Sequence, residues 1–456
     1  MKADLQEDWC GKKVAVIGLG VSNMALIQVL QQAGATLSGR DRKTRAELGE
    51  RARELEALGI ELILGPEYLD NLESFDIVMV SPGVPKHLPE LQGVKHKGKL
   101  SSEIALVFKY SPAPIYGVSG SSGKTTTTSL IGEMLKNSGI SVHVGGNIGN
   151  PLIAKLEEID PQDSLLLELS SFQLDGLGQS PQGALLTNLT ENHLDLHLTM
   201  ENYIQAKQNI YCHQKPQDFL VLNYDDPITR AMAEDARGRV YYFSLQEPVR
   251  PGAYLAGDDL IYQDEVGKVV FAQRKELVLP GEHNVANFLA AAVFSHLIGA
   301  SWEAIRQVGE KFTGVPHRLE LVRELDGVRY YNDSIATTPH RTQAALHSFS
   351  APIILIAGGS DKNLSFAELG LAIHTRVKRL ILLGVTAPRI RDAVLTNGDF
   401  PIDVVQDLGE AVTLGRELAS SGDVVLLSPA CASYDQYPNF VARGNHFRDL
   451  VQNLAD

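Results

Sequence analysis

The feature that most constrains this chain is a repeated grammar. A short apolar run ends in a glycine-, serine- or proline-rich loop, and a helix-like segment follows. VAVIGLG (14–20), DIVMVSPG (76–83), IYGVSGSSG (115–123), IILIAGG (353–359), LILLGV (380–385) and VVLLSPA (424–430) all obey it. Such runs fit parallel strands joined by crossover helices. Their loops should gather at the carboxyl edges of the sheets, where open α/β folds bind ligands. The 456 residues have room for about three domains of this kind. The pattern restarts near residue 100 at SPAPIYGV. It breaks again at GVPHRLE (314–320), where glycine and proline interrupt a helical segment before charge returns. The expected organisation is α/β throughout, with domains at 1–100, 101–314 and 315–456.

Composition narrows the class. A formal net charge of -14, with no basic block, argues against a nucleic-acid partner. The three cysteines, Cys10, Cys212 and Cys431, are scattered, which favours neither a disulfide framework nor a zinc site. The start, MKADLQEDWCGKK, is acidic and lacks the apolar core of a signal peptide. No apolar run reaches the roughly 18 residues of a membrane span. The expectation is a soluble, cytoplasmic protein, a monomer, with no membrane partner.

GVSGSSGKTTTTSL (117–130) carries the clearest chemistry. Its Gly120, Ser121, Ser122, Gly123, Lys124, Thr125 and Thr126 read as a phosphate-cradling loop between a strand and a helix. Glycines let backbone N–H groups approach oxygens, and the helix N-terminus adds its dipole. Lys124 would reach the terminal phosphates and the Thr125 hydroxyl would face Mg²⁺. Val118 stands where the general pattern has glycine, so only the tighter G-x-x-G-K-T core is present. A metal there calls for an acid at a neighbouring strand end, and Glu168 in LLLELSSF (165–172) fits. A lone acid at that place could also simply solvate the strand terminus. His193, Asp195 and His197 cluster at the far end of the run GALLTNLTENHLDLH (183–197), which reads as a strand. They suit either ligand binding or mutual hydrogen bonding in a loop. Lys207 is odder, because a lysine facing magnesium would repel it unless its charge were removed.

The first domain opens with GLGVSN (18–23), a dinucleotide-type glycine loop with Asn23 in place of the third glycine. Asp41 at the end of the second strand would suit a ribose hydroxyl, so a dehydrogenase is one reading of this domain alone. A purely structural glycine turn is another.

Five strings occur in order: G-x-x-GKT, ELSSFQL, N-x-x-x-x-HLDxH, GEHNVxNxxAA and PHRLE. Together they make the chain resemble the Mur ligase family over essentially its whole length. Those enzymes, with their folate-polyglutamate relatives, form amide bonds by ATP-dependent activation of a carboxylate. The resemblance implies a Rossmann-like N-terminal domain, a central P-loop ATPase-like domain and a C-terminal Rossmann-like domain. SPACASYDQYPNFVARGNHF (428–447) and YNDSIATTP (331–339) look like the branch that adds D-glutamate to UDP-N-acetylmuramoyl-L-alanine, a peptidoglycan precursor.

Roles then follow by resemblance, position by position. Lys124 and Thr125 would hold ATP phosphate and magnesium, with Glu168 on the first of two Mg²⁺ ions. His193 and a carbamylated Lys207 would bind the second, carbamylation turning the cation into an oxygen ligand. Asn284, Asn287, Arg318 and Asp333 would complete the nucleotide site, with the two asparagines bordering adenine. Leu19, Val21, Ser22, Asp41, Arg42, Ser81, Pro82 and Gly83 would hold the uridine diphosphate, and Asn147 would lie near the reacting carboxyl. Thr337, Lys362, Ser433 and Phe440 would hold D-glutamate. The catalytic set is Lys124, His193 and Lys207. The last domain would close over the central one about a hinge near Gly314–Pro316. Three positions depart from familiar members: Ile335 replaces a lysine, Thr338 an asparagine, and Asn192 an aspartate beside the histidine. A folate-type ligase and an ATP-binding regulatory module are the competing readings. SPACASYDQ speaks against the first, and the joint presence of Lys207, His193 and Lys362 against the second.

Overall fold

The computed structural model describes residues 2–148, 151–191, 194–279, 281–349, 351–361 and 364–455. Asn192, His193 and Lys362 lie outside the described residues. The chain forms two compact units, Met1–Phe312 and Thr313–Asp456.

The first unit holds two sheets among the described residues. One is built from β1 (Lys13–Ile17), β2 (Thr36–Asp41), β3 (Glu61–Leu64), β4 (Ile77–Val80) and β5 (Leu100–Ser101), all parallel, in the order β3-β2-β1-β4-β5. Strand order reverses between β1 and β4, so the loops after these two strands flank a crevice. Gly18 is required there. Its φ is +83°, and a Cβ would fall 2.7 Å from that of Ser81 in the other loop. Asn23 staples the turn by donating its amide to the carbonyls of Ile17 (3.1 Å) and Gly18 (2.8 Å).

The central sheet runs through β6 (Ile115–Ser119), β7 (Val142–Gly146), β8 (Ser164–Glu168), β9 (Gly183–Leu186), β10 (Phe219–Asn223), β11 (Arg239–Ser244), β12 (Gly252–Ala256), β13 (Asp259–Gln263) and β14 (Lys268–Gln273). Its order is β14-β13-β12-β11-β10-β9-β6-β8-β7, and only the β12–β13–β14 pairings are antiparallel. β6 therefore lies between β8 and β9, and the glycine-rich loop leaves the middle of the sheet.

β8 shows how an unbroken apolar run serves two cores. Leu165 and Leu167 face a cluster with Leu26, Ile27, Ile104 and Val107, which joins this sheet to the first. Leu166 points the other way, into a cluster with Leu130, Met134 and the helix Glu282–Ile298. That helix buries Phe288 through Ser295 without a break, because sheet and helices cover it on most sides.

One strand ends where read and another is shorter than read. β8 stops at Glu168, and Ser170 with Gln173 forms a capping box that starts the helix Ser171–Leu174. β9 stops at Leu186, because Thr187 and Asn188 turn their hydrogen bonds to the neighbouring glycine-rich loop.

The second unit has one sheet among the described residues. It contains β15 (Glu320–Leu325), β16 (Val328–Asn332), β17 (Ile353–Gly358), β18 (Val377–Leu383), β19 (Ile402–Val404) and β20 (Val424–Leu427), ordered β15-β16-β20-β17-β18-β19. Only β15 and β16 are antiparallel. The turn between them is Asp326-Gly327, both at positive φ, the dipeptide a tight hairpin prefers. The three apolar runs read as strands are β17, β18 and β20.

Candidate active site

Register places the central site. Val118 of β6 pairs with Glu168 of β8, Gly146 of β7 pairs with Glu168, and Ser119 pairs with Leu186 of β9. The segments after four adjacent strands thus emerge side by side: 120–123, Asn147, 169–171 and 187–190. Helix Lys124–Asn137 starts directly behind the first of them.

The loop is held from both sides. The Asn188 carbonyl accepts from Ser121 N (2.8 Å), and its side-chain oxygen accepts from Ser122 N (3.0 Å). Thr187 Oγ1 donates to the Ser122 carbonyl at 2.6 Å. A Cβ on Gly120 would collide with Thr187 Oγ1, and one on Gly123 with Asn287 Oδ1. Both glycines, at positive φ, are fixed by packing as well as by backbone conformation. Asn287 accepts from Thr127 Oγ1 (3.3 Å) and donates to Asn284 Oδ1 (3.3 Å), which puts this pair beside the loop's helix.

Lys124 Nζ donates back to the carbonyls of Gly120 (2.9 Å) and Ser121 (3.0 Å). Lys207 comes from the helix Met200–Gln208 and is 1% exposed. Its Nζ donates to Ser119 Oγ and to the Gly120 carbonyl, each at 2.8 Å. Burial, reinforced by the Lys124 ammonium, holds the Lys207 amine well below the ordinary lysine value, while Glu168 pulls the other way. Glu168 is 1% exposed; one carboxylate oxygen accepts from Asn147 Nδ2 at 2.8 Å. The other, Oε2, is buried without a hydrogen-bond partner. A buried carboxylate oxygen left open is costly unless a cation sits against it. Glu168 with the buried Thr125 suits a hard, oxygen-preferring ion such as Mg²⁺. Among the described residues no group of three or more His, Cys, Asp or Glu forms a ready metal cage. Protein ligands alone would therefore be few, as is usual for magnesium held together with phosphate.

Sequence reasoning missed Tyr203. It lies one helical turn before Lys207, and its hydroxyl is 2.9 Å from Ser121 Oγ. The i, i+4 spacing was the available signal. His197 is buried, its ring stacked 4.9 Å from that of Phe172 and its Nε2 2.9 Å from Ser171 Oγ.

In the crevice of the first sheet, Asp41 Oδ2 accepts from Leu19 N (2.8 Å) and Oδ1 from Lys43 N (3.0 Å). Asp41 thus shapes the loop that carries Leu19. Arg42 is exposed and Ser81–Gly83 form the opposite lip.

The second unit has its own cluster at the ends of β16, β17 and β20. Asp333 is buried, accepting from Ser428 Oγ (2.7 Å) and Leu319 N (3.3 Å). Burial outweighs those bonds and pushes its carboxyl up to about 7. Arg443, also missed, is 3% exposed. It donates to Ser334 Oγ, the Ser334 carbonyl, the Cys431 carbonyl and the Ala432 carbonyl at 2.9–3.3 Å. Burial lowers it to about 10, still charged at neutral pH. It ties YNDSIATTP to SPACAS, the loops of Thr337 and Ser433. Phe440 opens the helix Phe440–Gln452, and its carbonyl accepts from Ser334 Oγ (2.8 Å). Arg318 is exposed, between His317 and Leu319, which both hold positive φ.

Comparison with known proteins matches this layout. Three family models align end to end: "Mur ligase MurD-like, N-terminal domain" over 12–100, "Mur ligase middle domain" over 118–295, and "Mur ligase, glutamate ligase domain" over 317–431. A UDP-N-acetylmuramoylalanine–D-glutamate ligase of Symbiobacterium thermophilum is 48% identical, covering 97% of this chain and 98% of its own. One from Acetivibrio thermocellus is 45% identical, covering 99% and 98%. The fold resembles the solved UDP-N-acetylmuramate-alanine ligase of Thermotoga maritima, with a TM-score of 0.52 at 18% identity, over 97% of this chain and 99% of that one.

Proposed function

The chain belongs to the Mur ligase family, and on that premise we propose that it adds D-glutamate to UDP-N-acetylmuramoyl-L-alanine at the expense of ATP. The products are the D-glutamyl amide, ADP and phosphate, in cytoplasmic peptidoglycan precursor synthesis. The observation that carries this reading is the convergence of Lys124, Lys207 and Glu168 on one phosphate loop, in a chain 48% identical to a ligase of that name.

A carboxylate does not react with an amine because it has no leaving group. Phosphoryl transfer to the donor carboxylate supplies one as an acyl phosphate. The amine nitrogen of D-glutamate then attacks the acyl carbon, the C–O bond to phosphate breaks, and the departing phosphate carries off the proton the nitrogen releases as the amide forms. Lys124 leaves the carbonyls of Gly120 and Ser121 and lies against the terminal phosphates, spreading their charge. The N–H groups of 120–125 cradle the chain of phosphates. Thr125, Glu168, His193 and a carbamylated Lys207 are the proposed ligands for two Mg²⁺ ions. What bound magnesium supplies is charge neutralisation on the phosphate oxygens. The lowered proton affinity of Lys207 supports carbamylation: a neutral amine attacks carbon dioxide and gives up a proton, leaving an anionic oxygen donor. Asn147 orients Glu168 and borders the donor carboxylate. Arg318, Asp333, Asn284 and Asn287 are assigned to the nucleotide, and Thr337, Lys362, Ser433 and Phe440 to D-glutamate.

The test is phosphate release from ATP with UDP-N-acetylmuramoyl-L-alanine and a panel of acceptors: D-glutamate, L-glutamate, L-lysine, diaminopimelate and none. Release with D-glutamate alone, and a product heavier by one glutamyl residue, is expected. Release with another acceptor moves the enzyme to a different step. No release with any acceptor removes this donor from consideration.

A further inference from the structure

Lys86 takes no part in the chemistry above, yet its ammonium is held against backbone carbonyls of another element. It sits three residues past Gly83, in the loop that follows β4, and reaches across to the central sheet. Its Nζ donates to the Phe172 carbonyl at 3.0 Å and to the Asp175 carbonyl. These carbonyls lie at the end of the helix Ser171–Leu174, the first structure after Glu168. The loop itself is anchored, because Gln92 Nε2 donates to the Lys86 carbonyl at 2.7 Å. Burial, with Lys95 nearby, holds the Lys86 amine below its ordinary value despite the opposing charge of Asp175.

The far end of this link leads to the phosphate loop. Phe172 stacks on His197 with the rings 5° from parallel, and His197 meets Tyr203 edge-on at 5.4 Å. Tyr203 in turn holds Ser121. The same elements, Lys86 and His197 among them, wall a cleft of about 370 Å³ between the two sheets. Hydrogen bonds from an ammonium to carbonyls are stronger than neutral ones, so they hold the two segments together.

We infer that Lys86 is a positioning residue for the donor substrate: it pins the loop bearing Ser81–Gly83 to the helix behind Glu168 and so sets the span between the two ends of the donor site. This rests on the assignment of Ser81–Gly83 to the uridine diphosphate.

The experiment compares Lys86→Met and Lys86→Arg with the wild-type enzyme. Lys86→Met is expected to raise KM for UDP-N-acetylmuramoyl-L-alanine roughly tenfold, the loss of a charge-assisted hydrogen bond. KM for ATP and for D-glutamate should stay within about twofold, and Lys86→Arg should recover most of the loss. Equal shifts in all three constants, or none in any, overturn the inference. Hydrogen exchange on the free enzyme reads the tether without turnover. Residues 84–95 and 171–177 should exchange faster in Lys86→Met, and unchanged protection in both segments overturns the tether. If the wild-type enzyme fails to use this donor, the proposed reaction is lost and the exchange measurement alone decides the tether.

Discussion

Lys207 in the first unit and Arg443 in the second are each buried beneath a loop proposed to hold substrate, at 1% and 3% exposure. Each donates to backbone carbonyls and a serine hydroxyl rather than to a carboxylate. The resemblance ends with their chemistry. Desolvation next to Lys124 lowers the proton affinity of the Lys207 amine, as the proposed carbamylation needs. A guanidinium at about 10 keeps its charge and spends its donors on four acceptors in two loops. Burial of a cation alone therefore does not mark a reactive group. The head group and its neighbouring charges decide between a reactive site and a brace.

The sharpest way to break this contrast is Lys207→Arg, which keeps a cation where the proposal needs a group that can discharge. Turnover should fall roughly 10²–10³-fold, the loss typical of removing a charge-stabilising group. Circular dichroism should be unchanged. Near-normal turnover would mean that Lys207 is only a brace.

Arg443→Lys is the matching test in the second unit. One ammonium cannot span the acceptors of both loops, so KM for D-glutamate should rise about tenfold or more, at the scale of one charged hydrogen bond. KM for the UDP-linked donor should hardly move. A pure loss of thermal stability, with unchanged KM, would leave Arg443 without a role at the acceptor site.

A test of stability rather than turnover concerns Asp333, whose carboxyl burial pushes up to about 7 in the folded unit from 3.8 in the open chain. The folded unit keeps a proton that the unfolded chain releases. Relative to Asp333→Asn, the stability from that retained proton is full below about pH 4. It declines as pH rises and is gone above about pH 7, a swing on the order of 4 kcal/mol. Melting temperatures of both proteins across pH 4–8 should therefore diverge in that direction. A constant difference would show that Asp333 is ionised in the folded state throughout.

Much of this molecule was legible from the chain alone. Apolar runs ending in small residues foretold β1, β4, β6, β17, β18 and β20, because a strand buried on both faces tolerates little but aliphatic side chains. The turn at 120–123 was legible because its positive φ values at Gly120 and Gly123 call for glycine, and glycine cannot be disguised. What only tertiary structure decided was partnership. The open oxygen of Glu168, the pressure of Lys124 on Lys207, and the hold of Tyr203 on Ser121 all depend on groups far apart in sequence. β9 ended early for the same reason, as Thr187 and Asn188 turned to the glycine-rich loop. Arg443 stood within SPACASYDQYPNFVARGNHF without a role, since an arginine on a mostly polar helix looks solvated until the loops it braces fold over it. Hydrophobic period and backbone angle are written along the chain, whereas desolvation and charge coupling exist only once distant segments exclude water together.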